Sequence, residues 1–71
     1  MQAPSSSEIV AAAVRTRRKA MGLSQEKFAA RCNLHRTYIG AIERCEENIT
    51  LATLDKLAKA LDVKPVELLR G

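Results

Sequence analysis

The chain has 71 residues, 46% of them apolar but only Phe28 and Tyr38 aromatic, and carries a formal net charge of +4. That length gives one small domain with an aliphatic core, and no stretch alternates with period two as a strand would. The apolar run from Ile9 to Val14 is too short to span a membrane, and its basic cluster follows rather than precedes it, which excludes a signal peptide.

The opening MQAPSSS has the composition of a leader, taken as a flexible segment over 1–6, with a single domain over 7–71. Ser5 and Glu8 make a capping box with Pro4 just outside it, so a first helix starts near residue 6. It carries Val10, Val14 and Met21 toward the core and stops at Gly22. Arg15, Arg17, Arg18 and Lys19 cluster near its end, where the helix dipole alone favours cations.

Residues 23–44, LSQEKFAARCNLHRTYIGAIER, read as two short helices joined by a tight turn. Ser24 caps the first, and Phe28, Ala29 and Cys32 fall on one face. Asn33 tolerates the left-handed backbone that a tight turn needs, and Leu34, Ile39 and Ile42 lock the second helix onto the first. The second helix opens with His35, Arg36, Thr37 and Tyr38, which can hydrogen-bond base edges or phosphates. The arrangement, over about 24–44, is a helix-turn-helix, whose second helix fits the major groove of DNA.

A loop runs from Cys45 to Ile49, and a fourth helix begins at Thr50 or Leu51, with Leu51, Leu54, Leu57, Ala58 and Leu61 at helical spacing. Asp62-Val63-Lys64 connects it to a short fifth helix, with Pro65 in its first turn and its end at Leu69 or Arg70. The expectation is therefore an all-α domain of five helices.

Charge is unevenly spread. Residues 1–44 hold eight Lys or Arg against Glu8, Glu26 and Glu43, whereas 45–71 hold four basic and five acidic side chains. A basic front with a neutral back suits a protein with one face on a polyanion and another toward a protein partner, although solvated helix surfaces produce the same pattern. Cys32 and Cys45 lack CxxC spacing and read as reduced thiols of a cytoplasmic protein. Cys32 fits core packing, and a Cys32, His35, Cys45 metal site lacks a fourth ligand, so no metal is expected. No paired nucleophile and base and no Gly-rich phosphate loop is present, so neither an enzyme nor a cofactor is expected.

Arg18, Gly22-Leu23-Ser24-Gln25-Glu26, Phe28-Ala29, Tyr38-Ile39, Ile42-Glu43-Arg44, Leu54, Leu57-Ala58, Leu61, Val63 and Leu68-Leu69 together resemble the Cro/cI-type (XRE-like) repressor family. Within it, His35-Arg36-Thr37-Tyr38-Ile39 followed by Ile42-Glu43-Arg44 is most similar to controller proteins of restriction–modification systems. The resemblance implies a compact five-helix domain of the lambda-repressor type. It also implies that Gln25, beside the cap Ser24, meets a DNA phosphate at the start of helix two, where the dipole favours a negative partner. Arg36 and Thr37 are then base readers, with arginine able to fork onto guanine. Tyr38 either contacts DNA or packs its ring on the domain, and His35 either contacts DNA or caps its helix. Gly40 and Ala41 stand where relatives carry long polar readers, which concentrates reading in the preceding residues. Arg18 and Glu43 resemble a structural ion pair. Arg15, Arg17, Lys27 and Arg44 are left as phosphate or long-range cations.

Two departures from the family pattern stand out. Cys45 occupies a position usually held by Gly, and Glu46-Glu47 replace basic or neutral loop residues, leaving Asn48 as a phosphate donor. Leu51, Val63, Val66 and Leu69, within about 49–71, are more apolar than core closure requires and are assigned to a dimerisation surface. The expected function is a homodimeric transcriptional regulator on a pseudo-palindromic double-stranded operator, of the controller type. A phage-type repressor, or an antitoxin-like module whose main partner is a protein toxin, is the alternative. RNA polymerase is a further candidate partner, through Glu26 or the Glu46-Glu47 pair, and no membrane is expected.

Overall fold

The chain folds into five helices: α1 (Ser6–Ala20), α2 (Gln25–Cys32), α3 (Arg36–Glu43), α4 (Leu51–Ala60) and α5 (Pro65–Arg70). The computed structural model describes residues 3–70, so Met1 and Gln2 of the leader and Gly71 at the end of the expected domain lie outside the described residues. Among the described residues there is no strand, and no helix is long and apolar enough to cross a membrane.

Short polar side chains start the helices. The Ser5 hydroxyl accepts from Glu8 N–H at 3.2 Å while the Glu8 carboxylate accepts from Ser5 N–H at 3.1 Å, closing the capping box of α1. Ser24 and Thr50 accept from Lys27 N–H and Thr53 N–H, each at 3.1 Å, at the starts of α2 and α4. The Glu67 carboxylate closes the first turn of α5 by accepting from Lys64 N–H at 2.7 Å.

The first four helices end in one way. Gly22, Asn33, Cys45 and Asp62 follow them with φ of 70, 57, 59 and 58°, all left-handed. Each donates back into its helix, and so does the next residue: Leu23 to Arg18 O at 3.2 Å, Leu34 to Ala29 O at 2.9 Å, Glu46 to Ala41 O at 2.8 Å and Val63 to Ala58 O at 3.0 Å. The last carbonyls are thereby satisfied. In three of the four turns the second residue is apolar, and Leu23, Leu34 and Val63 are driven against the core as the chain reverses. Glu46 is the exception, because its side chain turns to Arg44 instead.

Cys45 is the least favourable of these left-handed residues, having neither glycine's freedom nor the short polar side chain of Asn or Asp. Replacing it by Gly is expected to raise stability by about 0.5–1 kcal/mol, the strain of roughly 1–2 kcal/mol being partly offset by glycine's greater freedom in the unfolded chain. Urea denaturation measures this. A less stable variant would mean that the Cys45 Sγ contact with Ser7 O, at 3.9 Å, outweighs the backbone strain.

The core is aliphatic apart from Phe28. Val10 and Val14 of α1, Phe28, Ala29 and Cys32 of α2, Ile39 and Ile42 of α3, Leu54, Leu57 and Ala58 of α4, Leu61, and Leu68 of α5 are all buried together. Burial pushes the Cys32 thiol up to about 11, so it behaves as a small apolar side chain. Met21 does not reach this core, contrary to the periodicity. It caps α1 at 40% exposure, and the left-handed turn at Gly22 hands its place to Leu23. Leu51, the first residue of its helix, likewise stands outside the α4 stripe at 80% exposure.

Candidate nucleic-acid interface

Helix α2 packs against α3 so that its first residues lie along the length of that helix. Glu26 meets the start of α3, its Oε2 accepting from Arg36 Nη1 at 3.2 Å. Gln25 meets the other end, its Nε2 donating to Glu43 Oε1 at 3.1 Å. The N-terminus of α2, whose dipole favours negative charge, is thus set beside α3.

A buried ion pair fixes that geometry. Arg18 Nε donates to Glu43 Oε2 at 2.7 Å and Arg18 Nη2 to Glu43 Oε1 at 3.0 Å, a two-pronged contact between the ends of α1 and α3. Arg18 Nη1 donates to Leu23 O at 2.8 Å, tying the α1–α2 turn to the same group. Only 9% of the Arg18 side chain and 2% of the Glu43 side chain is exposed. Burial pushes the Glu43 carboxyl up, but hydrogen bonds from Arg18 and Gln25, with the charges of Arg18 and Arg15, outweigh it and hold the group below the usual carboxylate range. The bond to Glu43 likewise raises the Arg18 guanidinium against its own desolvation. The pair is therefore ionised, and all three Arg18 nitrogens are engaged.

The predicted readers stand at the opening of α3. His35 caps the helix, its Nδ1 accepting from Thr37 N–H at 3.1 Å, which requires the proton on Nε2 and leaves that N–H pointing outward as a donor. Arg36 and Thr37 follow as exposed residues in the first turn. Tyr38 is partly buried with its ring against the core, so the packing reading holds for the ring. Ser24 is exposed and its hydroxyl is used as the α2 cap. Asn48 is exposed in the α3–α4 loop.

Arg44 follows α3 directly, and its Nη2 lies 3.1 Å from Glu46 Oε1, an ion pair across the left-handed turn. Both partners are 58% exposed, so the pair contributes little to stability. Of the three carboxylates considered for polymerase contact, Glu26 and Glu46 are therefore already engaged by Arg36 and Arg44.

Sequence reasoning missed these two surface pairs and the Gln25–Glu43 bond. The Glu26–Arg36 pair spans ten residues across a turn, and no helical spacing signals it. Nor does the sequence show what covers Gly40. It is buried, with the end of the Arg44 side chain and Gln25 Oε1 lying over it.

Of the four residues assigned to a dimerisation surface, Leu51, Val66 and Leu69 are exposed, whereas Val63 is partly buried against the core. A shallow groove of about 210 Å³ lies beside them, lined by Ser7, Val10, Ile49, Thr50, Leu51 and Leu69 among others.

A helix-turn-helix family model matches residues 14–68. The control protein C.SmaI of Serratia marcescens is 53% identical over 62 residues, covering 87% of this chain and 74% of that protein. The control protein C.BamHI of Bacillus amyloliquefaciens is 53% identical over 47 residues, which is 66% of this chain but only 58% of its own length. Among solved structures, the restriction-modification controller protein C.AhdI from Aeromonas hydrophila superimposes with a TM-score of 0.83 at 42% identity, over 87% of this chain and 94% of that one.

Proposed function

The chain belongs to the helix-turn-helix family, and from that premise we propose that it is a sequence-specific transcriptional regulator controlling a restriction–modification system. One observation carries the DNA reading: Arg36 and Thr37 project from the first turn of α3 while the N-terminus of α2 lies alongside. Arg36 and Thr37 read base edges, with His35 Nε2 beside them. Ser24, Gln25, Arg44 and Asn48 meet the backbone, and Tyr38 supports the helix with its ring while its hydroxyl reaches phosphate. The same 7–71 domain acts in the cytoplasm, performs no catalysis and needs no cofactor.

A single module of this size buries too little surface for tight specific binding. The regulator therefore acts as a homodimer through Leu51, Val66 and Leu69, with Val63 beneath them, and places two α3 helices in successive major grooves roughly 34 Å apart. Glu47 is the carboxylate left for contact with RNA polymerase.

A footprint on the DNA upstream of its own gene, with affinity measured against salt, tests the proposal. Protection of two half-sites one turn apart is expected, with affinity falling about 10³–10⁵-fold between 50 and 200 mM salt if the dimer neutralises some six to ten phosphates. Protection without salt dependence, or a monomer in sedimentation at saturating DNA, would overturn it.

A further inference from the structure

Gly40 sits inside an eight-residue helix, where glycine is an unfavourable residue that needs a reason. Its backbone is not left-handed, so conformational freedom is not the reason. A Cβ built there would meet Arg44 Nη1 at 3.0 Å and Gln25 Oε1 at 3.5 Å. The space a side chain would take is filled by the end of the Arg44 guanidinium, which comes back over residue 40 because helical side chains four apart stack on one face and lean toward the N-terminus. Gln25 flanks the same spot in a fixed orientation. Its Nε2 donates to Glu43, since the reverse orientation would set two oxygens against each other, and Oε1 is thereby turned toward Gly40 and Arg44.

We propose that Gly40 is a positioning residue for Arg44. Its missing side chain seats the guanidinium on the surface of α3 against Gln25, so that Arg44, Gln25 and the start of α2 meet one DNA phosphate as a unit. The proposal rests on the reading that this face binds DNA. Two contacts hold the seat in the free protein, the helix surface at Gly40 and the Glu46 carboxylate on Nη2 at 3.1 Å. The second is an exposed ion pair that a phosphate can replace. A methyl at residue 40 leaves Glu46 as the only hold and moves the guanidinium away from Gln25, because the end of a flexible arginine yields before the helix does.

Replacing Gly40 by Ala should consequently separate stability from binding. The melting temperature is expected to rise by roughly 4–8 °C from improved helix propensity. On a mixed-sequence duplex of about three helical turns, affinity is expected to fall about tenfold per subunit, the order of a charge-assisted hydrogen bond. The slope of log affinity against log salt should shrink by about 0.9 per subunit, for one phosphate lost. Arg44→Ala should give the same losses, and the double variant no more than Arg44→Ala alone. A Gly40→Ala protein with the wild-type slope, or losses that add in the double variant, would overturn the positioning role while leaving the DNA reading intact. A wild-type protein that shows no salt-dependent binding to this duplex would overturn both. Melting curves on the same samples report the folded fraction, and Arg44→Ala, an exposed change, supplies the comparison should Gly40→Ala fold poorly.

Discussion

Replacing Glu43 by Ala is expected to remove about 3–5 kcal/mol of folding stability. A domain of this length has roughly 4–10 kcal/mol in all, so the variant should be largely unfolded or close to it at 37 °C. The size of the effect comes from what is left behind. With Glu43 gone, a guanidinium whose side chain is 9% exposed keeps its bond to Leu23 O but loses both carboxylate contacts, and Gln25 loses its acceptor. The pair itself is a weaker source of stability than its removal suggests, because desolvating both charges opposes their attraction. Replacing both partners, as Arg18→Met with Glu43→Met, is therefore expected to recover much of the loss. Chemical denaturation of the two single variants and the double variant gives the coupling directly. If Glu43→Ala lies within 1 kcal/mol of wild type, the pair does not hold α1 to α3.

Acid should act on the same group. The folded-state pKa of Glu43 lies below its ordinary value, so the unfolded chain takes up a proton first as pH falls. The stability Glu43 contributes is fully present above the unfolded carboxyl pKa, near 4.3, and is lost as pH drops through the folded value. Wild-type protein should thus lose stability below about pH 4, and the double methionine variant should lose less over that range.

How far the fold was legible follows from the range of each interaction. Ser5, Ser24 and Thr50 act over three residues, and a short hydroxyl before an apolar repeat signals a cap. Asn33 was readable for the same local reason. Asp62 was not singled out, although it adopts the same left-handed turn, because a connector with no glycine carries no distinct signal for it. Met21 lies one residue past the end of α1, where the turn rather than the helical repeat decides which side chain goes inward.

The site depended on longer reach. Arg18 and Glu43 lie 25 residues apart, and family resemblance rather than spacing linked them. The partner of Arg36 and the Gln25 side of the seat at Gly40 are set by how α2 crosses α3, which no one-dimensional pattern contains. Sequence therefore named candidate DNA-contact residues without describing how those side chains rest against one another in the free protein.

That prior state bears on the second large effect. Arg36→Ala is expected to reduce operator affinity by about 1–3 kcal/mol for each half-site, hence roughly 2–6 kcal/mol for the dimer, or at least about 30-fold. In the free protein the guanidinium rests on Glu26 at 3.2 Å, with 67% and 74% of the two side chains exposed. A pair so exposed contributes at most about 1 kcal/mol and is screened by salt. A guanine edge, offering two acceptors in the plane of the guanidinium, can outcompete it, whereas a mispaired base can not. Glu26 also places a carboxylate beside Arg36, where it opposes the approach of any phosphate by charge. The two substitutions should accordingly differ in kind. Arg36→Ala should lower the ratio of operator to random-sequence affinity with a modest change in binding to random DNA. Glu26→Ala should lower the same ratio by the opposite route, strengthening random-sequence binding by removing a carboxylate from the face and releasing the arginine. Competition binding with operator and random duplexes at one salt concentration distinguishes them. If Arg36→Ala leaves the ratio unchanged, specificity resides elsewhere on α3. If Glu26→Ala leaves random binding unchanged, the ion pair is an incidental surface contact.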